Sequence, residues 1–164
     1  MATITLNDSD LVLARLVADK RNEMNLGRGD APAYAKNSDR MEDNSVAMYA
    51  STRCELATAK AFNRYWHASW WPADQHHLHK HEPDVGVNIE VKRIRSPHNP
   101  LLVKEDYVTL DRVIVLAYAH TNPEHLVDVI GYITATHAWD IGQPVDWDQS
   151  KLLRQVTQEQ LTHI

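Results

Sequence analysis

The 164-residue chain predicts an α/β or α+β fold, a small mixed β-sheet of about four to five strands flanked by helices. Three observations carry this. Up to about residue 66 the apolar residues recur at helical spacing. After Pro72 they alternate, or run continuously over strand lengths. No repeat, low-complexity block or Pro/Gly/Ser-rich linker divides the two parts, so residues 1–164 read as a single domain.

The first helix is expected over residues 9–24, with Ser9 as its cap and Leu11, Val12, Ala14, Leu16 and Val17 as its apolar positions. Residues 25–44 are polar and contain Gly27, Gly29 and Pro32, which reads as a long loop, mobile or lying over a site. A second helix is capped by Asn44 or Ser45 and continues to about Trp66 without Gly or Pro. At about 100° per residue, Arg53, Lys60, Asn63 and Arg64 form its polar arc. Ala47, Ala50, Cys54, Ala61 and Tyr65 lie opposite, with Met48, Ala59, Phe62 and Trp66 beside them. Glu55 falls between Phe62 and Trp66 in projection, and a carboxylate in an apolar stripe is costly unless something pairs with it.

His77, His79 and His81 then alternate as on a strand. Pro83-Asp84-Val85-Gly86 supplies a turn, and residues 87–92 alternate again. Ser96-Pro97-His98-Asn99-Pro100 reads as a loop. Val113–Ala119 is a continuous apolar run, the pattern of a buried central strand. Residues 126–136, interrupted by Gly131, pair with it as a hairpin because the link after Pro123 is short. A strand or short helix at 152–156 and a capped piece after Thr157 form a C-terminal extension, residues 137–164.

No apolar run approaches the roughly 18 to 20 residues that span a bilayer, no signal peptide is visible, and a lone Cys54 suits a reducing cytoplasm. The formal net charge of −5 speaks against a polyanionic partner. Residues 53–104 reverse it locally, with 8 basic and 5 acidic side chains and six of the ten histidines.

Within that segment Asp84, Glu90, Lys92 and Glu55 stand out. Glu90 and Lys92 are two apart on a strand and project from one face. Asp84 lies across a turn that brings it beside Glu90, and Glu55 reaches in from a helix packed on the sheet. Hard divalent ions take oxygen ligands and keep waters. Carboxylates with a lysine alongside suit metal-assisted phosphodiester hydrolysis, in which an ion acidifies water and an ammonium orients it, deprotonates it or stabilises developing charge.

Pro83-Asp84 followed by Glu90-Val91-Lys92 resembles the PD-(D/E)XK signature of the restriction-endonuclease-like nucleases, most of all small phage-type or uncharacterised members. Glu55 stands on a helix before the motif, where many members carry a further acid. The resemblance covers residues 45–136 and implies a restriction-endonuclease-like core. It implies that Asp84, Glu90, the main-chain carbonyl of Val91 and Glu55 hold Mg²⁺, or Mn²⁺ in its place, while Lys92 serves the attacking water. The activity implied is phosphodiester hydrolysis, in DNA rather than RNA, during repair, recombination or phage DNA processing in the cytoplasm. Low sequence specificity, a homodimer, or a protein partner that delivers substrate is expected, because the short chain with its acidic tail leaves no room for a separate recognition domain. Without the resemblance, Glu90 and Lys92 are an exposed ion pair and Asp84 an ordinary turn residue.

Arg93, Arg95 and Lys104 follow the motif and are candidates for phosphate contacts. Trp66 reads as core, while Trp70 and Trp71 are open between packing and base stacking. Cys54 reads as inert, and Asp140, Asp146 and Asp148 as members of a solvated loop. Two rival readings are a catalytically inactive nuclease-fold protein that binds nucleic acid or a protein, and a zinc-binding module built on His77, His79 and His81.

Overall fold

The computed structural model describes residues 1–25, 44–72, 74–79, 81–148 and 152–164. The loop expected over 25–44 lies, apart from its two ends, outside the described residues. The elements are β1 (Ala2–Thr5), α1 (Asp8–Asn25), α2 (Asn44–Ala61), α3 (His76–His79), β2 (Ile89–Arg93), β3 (Leu101–Lys104), α4 (Asp106–Thr109), β4 (Val113–Ala119), β5 (Leu126–Thr134), α5 (Ala135–Ile141), β6 (Gln143–Pro144) and β7 (Leu153–Val156), followed by a 3₁₀ turn, Gln158–Gln160.

A mixed four-stranded sheet has the order β1-β5-β4-β2, with β2 parallel to β4 and the other pairs antiparallel. A smaller antiparallel sheet has the order β3-β7-β6. Together they form an α/β architecture of two sheets and flanking helices.

Val113–Ala119 is continuously apolar because both of its faces are covered. Val115 and Ala117 join Val91, Val127 and Val129 against α2, while Ile114 and Leu116 pack with Leu101, Val103 and Val156 of the small sheet. The β4–β5 hairpin forms as its short link predicts. Gly131 lies where β5 meets the C-terminal segment, and an added Cβ would stand 2.8 Å from both the Leu161 Cβ and the Thr162 carbonyl oxygen. Among the described residues no helix is long and apolar enough to cross a membrane.

Both long helices differ from the sequence expectation in instructive ways. The cap of α1 is Asn7, not Ser9. Asn7 Oδ1 accepts from the Asp10 amide at 2.9 Å and Asp10 Oδ2 accepts from the Asn7 amide at 2.8 Å, a reciprocal capping box. Ala14, Val17 and Ala18 are buried, whereas Val12 and Leu16 are exposed.

Helix α2 ends at Ala61, five residues before the expected end at Trp66. Asn63 takes φ +50°, the Arg64 amide donates to the Ala59 carbonyl and the Asn63 amide to that of Lys60. This is a Schellman stop, with asparagine in the left-handed position usually held by glycine. Because α2 is enclosed by α1 on one side and the sheet on the other, its expected polar arc does not hold at Arg53. That residue is buried, and its Nη1 donates to the carbonyls of His120, at 2.9 Å, and of Glu124. Burial lowers the Arg53 pKa from its ordinary value, opposed by the nearby Tyr49.

Candidate active site

Among the described residues β2 is an edge strand, and what lies against its open side defines the site. The turn after Pro83 is closed by reciprocal bonds between Val85 and Ile89, both 3.1 Å, with the Asp84 amide also on the Ile89 carbonyl at 3.0 Å. Gly86 takes φ +59°, a conformation that favours glycine. This geometry swings Asp84 back along β2, where its Oδ2 accepts from the Val91 amide at 2.8 Å. In an extended strand the N–H and C=O of one residue point the same way. The Val91 carbonyl therefore lies on the Asp84 side of the sheet edge, not in the ladder with β4.

Glu90 and Lys92 share a face as their spacing requires. The Lys92 ammonium sits 2.7 Å from Glu90 Oε1 and 4.7 Å from the centroid of the Tyr107 ring, which α4 supplies. Asp84 and Glu90 line one cleft of about 250 Å³, together with Arg21, Trp71, His67 and His79.

The electrostatics follow from this crowding. Burial raises the Asp84 pKa well above the ordinary carboxylate range, and the charges of Glu55 and Glu90 push it further. Lys92 and the Val91 amide oppose them. Burial disfavours the Lys92 ammonium, but Glu90, Tyr107 and Asp84 outweigh it and lift its pKa above the ordinary lysine value. Lys92 is thus held as a cation, suited to orienting a water or stabilising an anion rather than to taking a proton.

Glu55 is close enough for its charge to bear on Asp84 but is already engaged. Arg21 Nη1 and Nη2 donate to its two oxygens at 2.6 and 2.9 Å, and Trp66 Nε1 donates to Oε2 at 2.8 Å. Arg21 Nε in turn donates to the Ser69 carbonyl at 2.8 Å. Among the described residues no group of three or more His, Cys, Asp or Glu side chains is arranged to hold a metal ion.

Arg21, Trp66 Nε1, Tyr107 and the Val91 amide are site groups that the sequence reading did not identify. Arg21 had a signal: it continues the buried stripe Ala14, Val17, Ala18 at helical spacing, and Glu55 demanded a partner. The position of Tyr107 depends on a crossover that no local pattern encodes.

The histidine run does not form a strand. Residues His76–His79 make one helical turn, so His77, His79 and His81 do not share a strand face. The His79 ring stacks on Trp71 with centroids 3.6 Å apart, and its Nδ1 lies 2.8 Å from Glu82 Oε1. Trp71 is therefore packed on an imidazole, and Trp66 is partly buried against the core. Cys54 is fully buried, and burial pushes its thiol up to about 12. Asp140 falls within α5 rather than a loop. Arg93, Arg95 and Lys104 lie away from the acidic cleft, lining a second groove that also contains Lys92.

No family model matches the chain, and no curated protein or solved structure does so either.

Proposed function

We propose that the protein is a metal-dependent phosphodiesterase acting on nucleic acid, DNA more readily than RNA, with a restriction-endonuclease-like core. The observation that carries this reading is the placement of Asp84 against Val91 on the open edge of β2, with Glu90 in the same cleft and Lys92 held to Glu90. The order of acidic helix α2, motif-bearing turn and strand, and apolar strands β4 and β5 agrees with it.

The donor set suits Mg²⁺ or Mn²⁺. Asp84, Glu90 and the Val91 carbonyl are hard oxygen donors on one edge, and the raised proton affinity of Asp84 marks a place where a cation is favoured. Those three groups would hold the ion. Glu55 would join them only if Arg21 released it. A bound ion supplies Lewis acidity toward the phosphoryl oxygen and acidifies a water. Lys92 orients that water by donating to it and places positive charge beside the phosphate. Glu90 fixes the ammonium at 2.7 Å. Arg21, held by Glu55 and Ser69, forms part of the cleft wall.

A second reading, a nuclease-fold protein that binds without cutting, is favoured by the occupation of Glu55 by Arg21. Incubation of circular single- and double-stranded DNA with Mg²⁺ or Mn²⁺ separates the two. Nicking or degradation that Lys92→Ala abolishes supports the enzyme; gel-shifted but intact DNA under every condition supports the binder.

A further inference from the structure

A second groove, of about 620 Å³, runs along the small sheet and reaches the end of β2. Alternation along β3 buries Leu101 and Val103 and leaves Leu102 and Lys104 outward. Lys92, Arg93 and Arg95 line the groove from β2 and the residues after it, and Trp147 lines it from the β6–β7 connection. Among the described residues none of its lining side chains is acidic, in a chain whose net charge is −5. Of the two carboxylates flanking Trp147 in sequence, Asp148 accepts from the Leu153 amide at 2.8 Å and Asp146 is exposed. Trp147 itself is 63% exposed, unusual for a residue so costly to leave in water.

We propose that this groove binds a single-stranded segment of nucleic acid, with its phosphates along Lys104, Arg95 and Arg93 and one base stacked on Trp147. The strand is thereby led to Lys92 and the Asp84–Glu90 cleft. Cations along a groove track a phosphate backbone, and an exposed ring takes any base whose face is open. A duplex hides those faces, so Trp147 adds affinity only where the strand is unpaired. Lys92 makes the two sites continuous: it lines the groove, and its ammonium rests on Glu90, which lines the cleft. The inference rests on the nucleic-acid reading of that cleft and adds the strandedness of its substrate.

The test is fluorescence anisotropy with the full chain in EDTA, so that binding is read without cleavage. The probes are one labelled oligodeoxynucleotide as a single strand and as a duplex, and its RNA counterpart. The single strand is expected to bind more tightly than the duplex. Trp147→Ala should weaken single-strand binding about tenfold and leave duplex binding unchanged, while Trp147→Phe retains most of the affinity. Lys104→Ala should weaken both and reduce the salt slope by about one. Equal affinity for the two forms, or a folded Trp147→Ala protein that binds as wild type, overturns the proposal. Because no metal is present, a cleft that never cleaves leaves a positive binding result standing. Mg²⁺-dependent scission with binding insensitive to Trp147 overturns the groove and leaves the cleft.

Discussion

Replacing Arg21 by methionine removes the partner of a buried carboxylate while keeping most of the side-chain volume. The side chains of Arg21 and Glu55 are 17% and 8% exposed, so solvent screens the pair little. The substitution takes both guanidinium hydrogen bonds to Glu55 and leaves that from Trp66. Breaking a buried pair from one side costs about 3–5 kcal/mol. We therefore expect Arg21→Met to lose about 3 kcal/mol at pH 7, a fall of roughly 6–12 °C in thermal midpoint for a chain of this size.

Urea unfolding at pH 7 of wild type, Arg21→Met and Arg21→Met/Glu55→Gln is the assay. The double variant should recover most of the loss, since the glutamine oxygen still accepts from Trp66. A loss below about 1 kcal/mol at pH 7, or no recovery in the double variant, would refute the paired-charge reasoning.

Gly131→Ala should cost about 1–3 kcal/mol, because its Cβ would stand 2.8 Å from Leu161 Cβ and the Thr162 oxygen; faster amide exchange at Tyr132, bonded to Thr162, would report it. Cys54, with its thiol raised to about 12, should resist a thiol reagent at pH 8 in the folded protein and react once urea unfolds it. Asn63→Gly should be tolerated within a few tenths of a kcal/mol, whereas Asn63→Ile should cost about 1–2 kcal/mol at φ +50°; thermal melts of the pair decide it.

Much of the fold was legible where one physical cause dominated. The apolar run Val113–Ala119 announced a strand covered on both faces, and the short link after Pro123 announced its hairpin partner. The turn at Asp84 and the shared face of Glu90 and Lys92 followed from local spacing alone. The losses came where tertiary context overrode pattern. Arg53 sits on the polar side of an isolated α2 yet becomes buried because α1 and the β4–β5 turn enclose it. His77, His79 and His81 alternate, but alternation of half-polar rings does not distinguish a strand from a helical turn, and stacking of His79 on Trp71 favours the latter. Strand β3 has only four residues, too few for its period to rise above the loop before it. At the candidate site the acids were visible, but their partners were not. Arg21 lies 34 residues before Glu55, and Tyr107 reaches Lys92 through the packing of α4.

Scission of circular single-stranded DNA in Mg²⁺, by wild type and by Asp84→Asn, bears most directly on the catalytic assignment. Asparagine keeps the shape of Asp84 and can still accept from the Val91 amide, so the edge of β2 stays formed while a charged ligand is removed. Wild type should linearise or degrade the circle only with the metal, and Asp84→Asn should fall by more than about a hundredfold at a thermal midpoint no lower than that of wild type. Metal-independent cleavage, or an Asp84→Asn protein as active as wild type, would contradict the assignment of this cleft as a metal-dependent phosphodiesterase site.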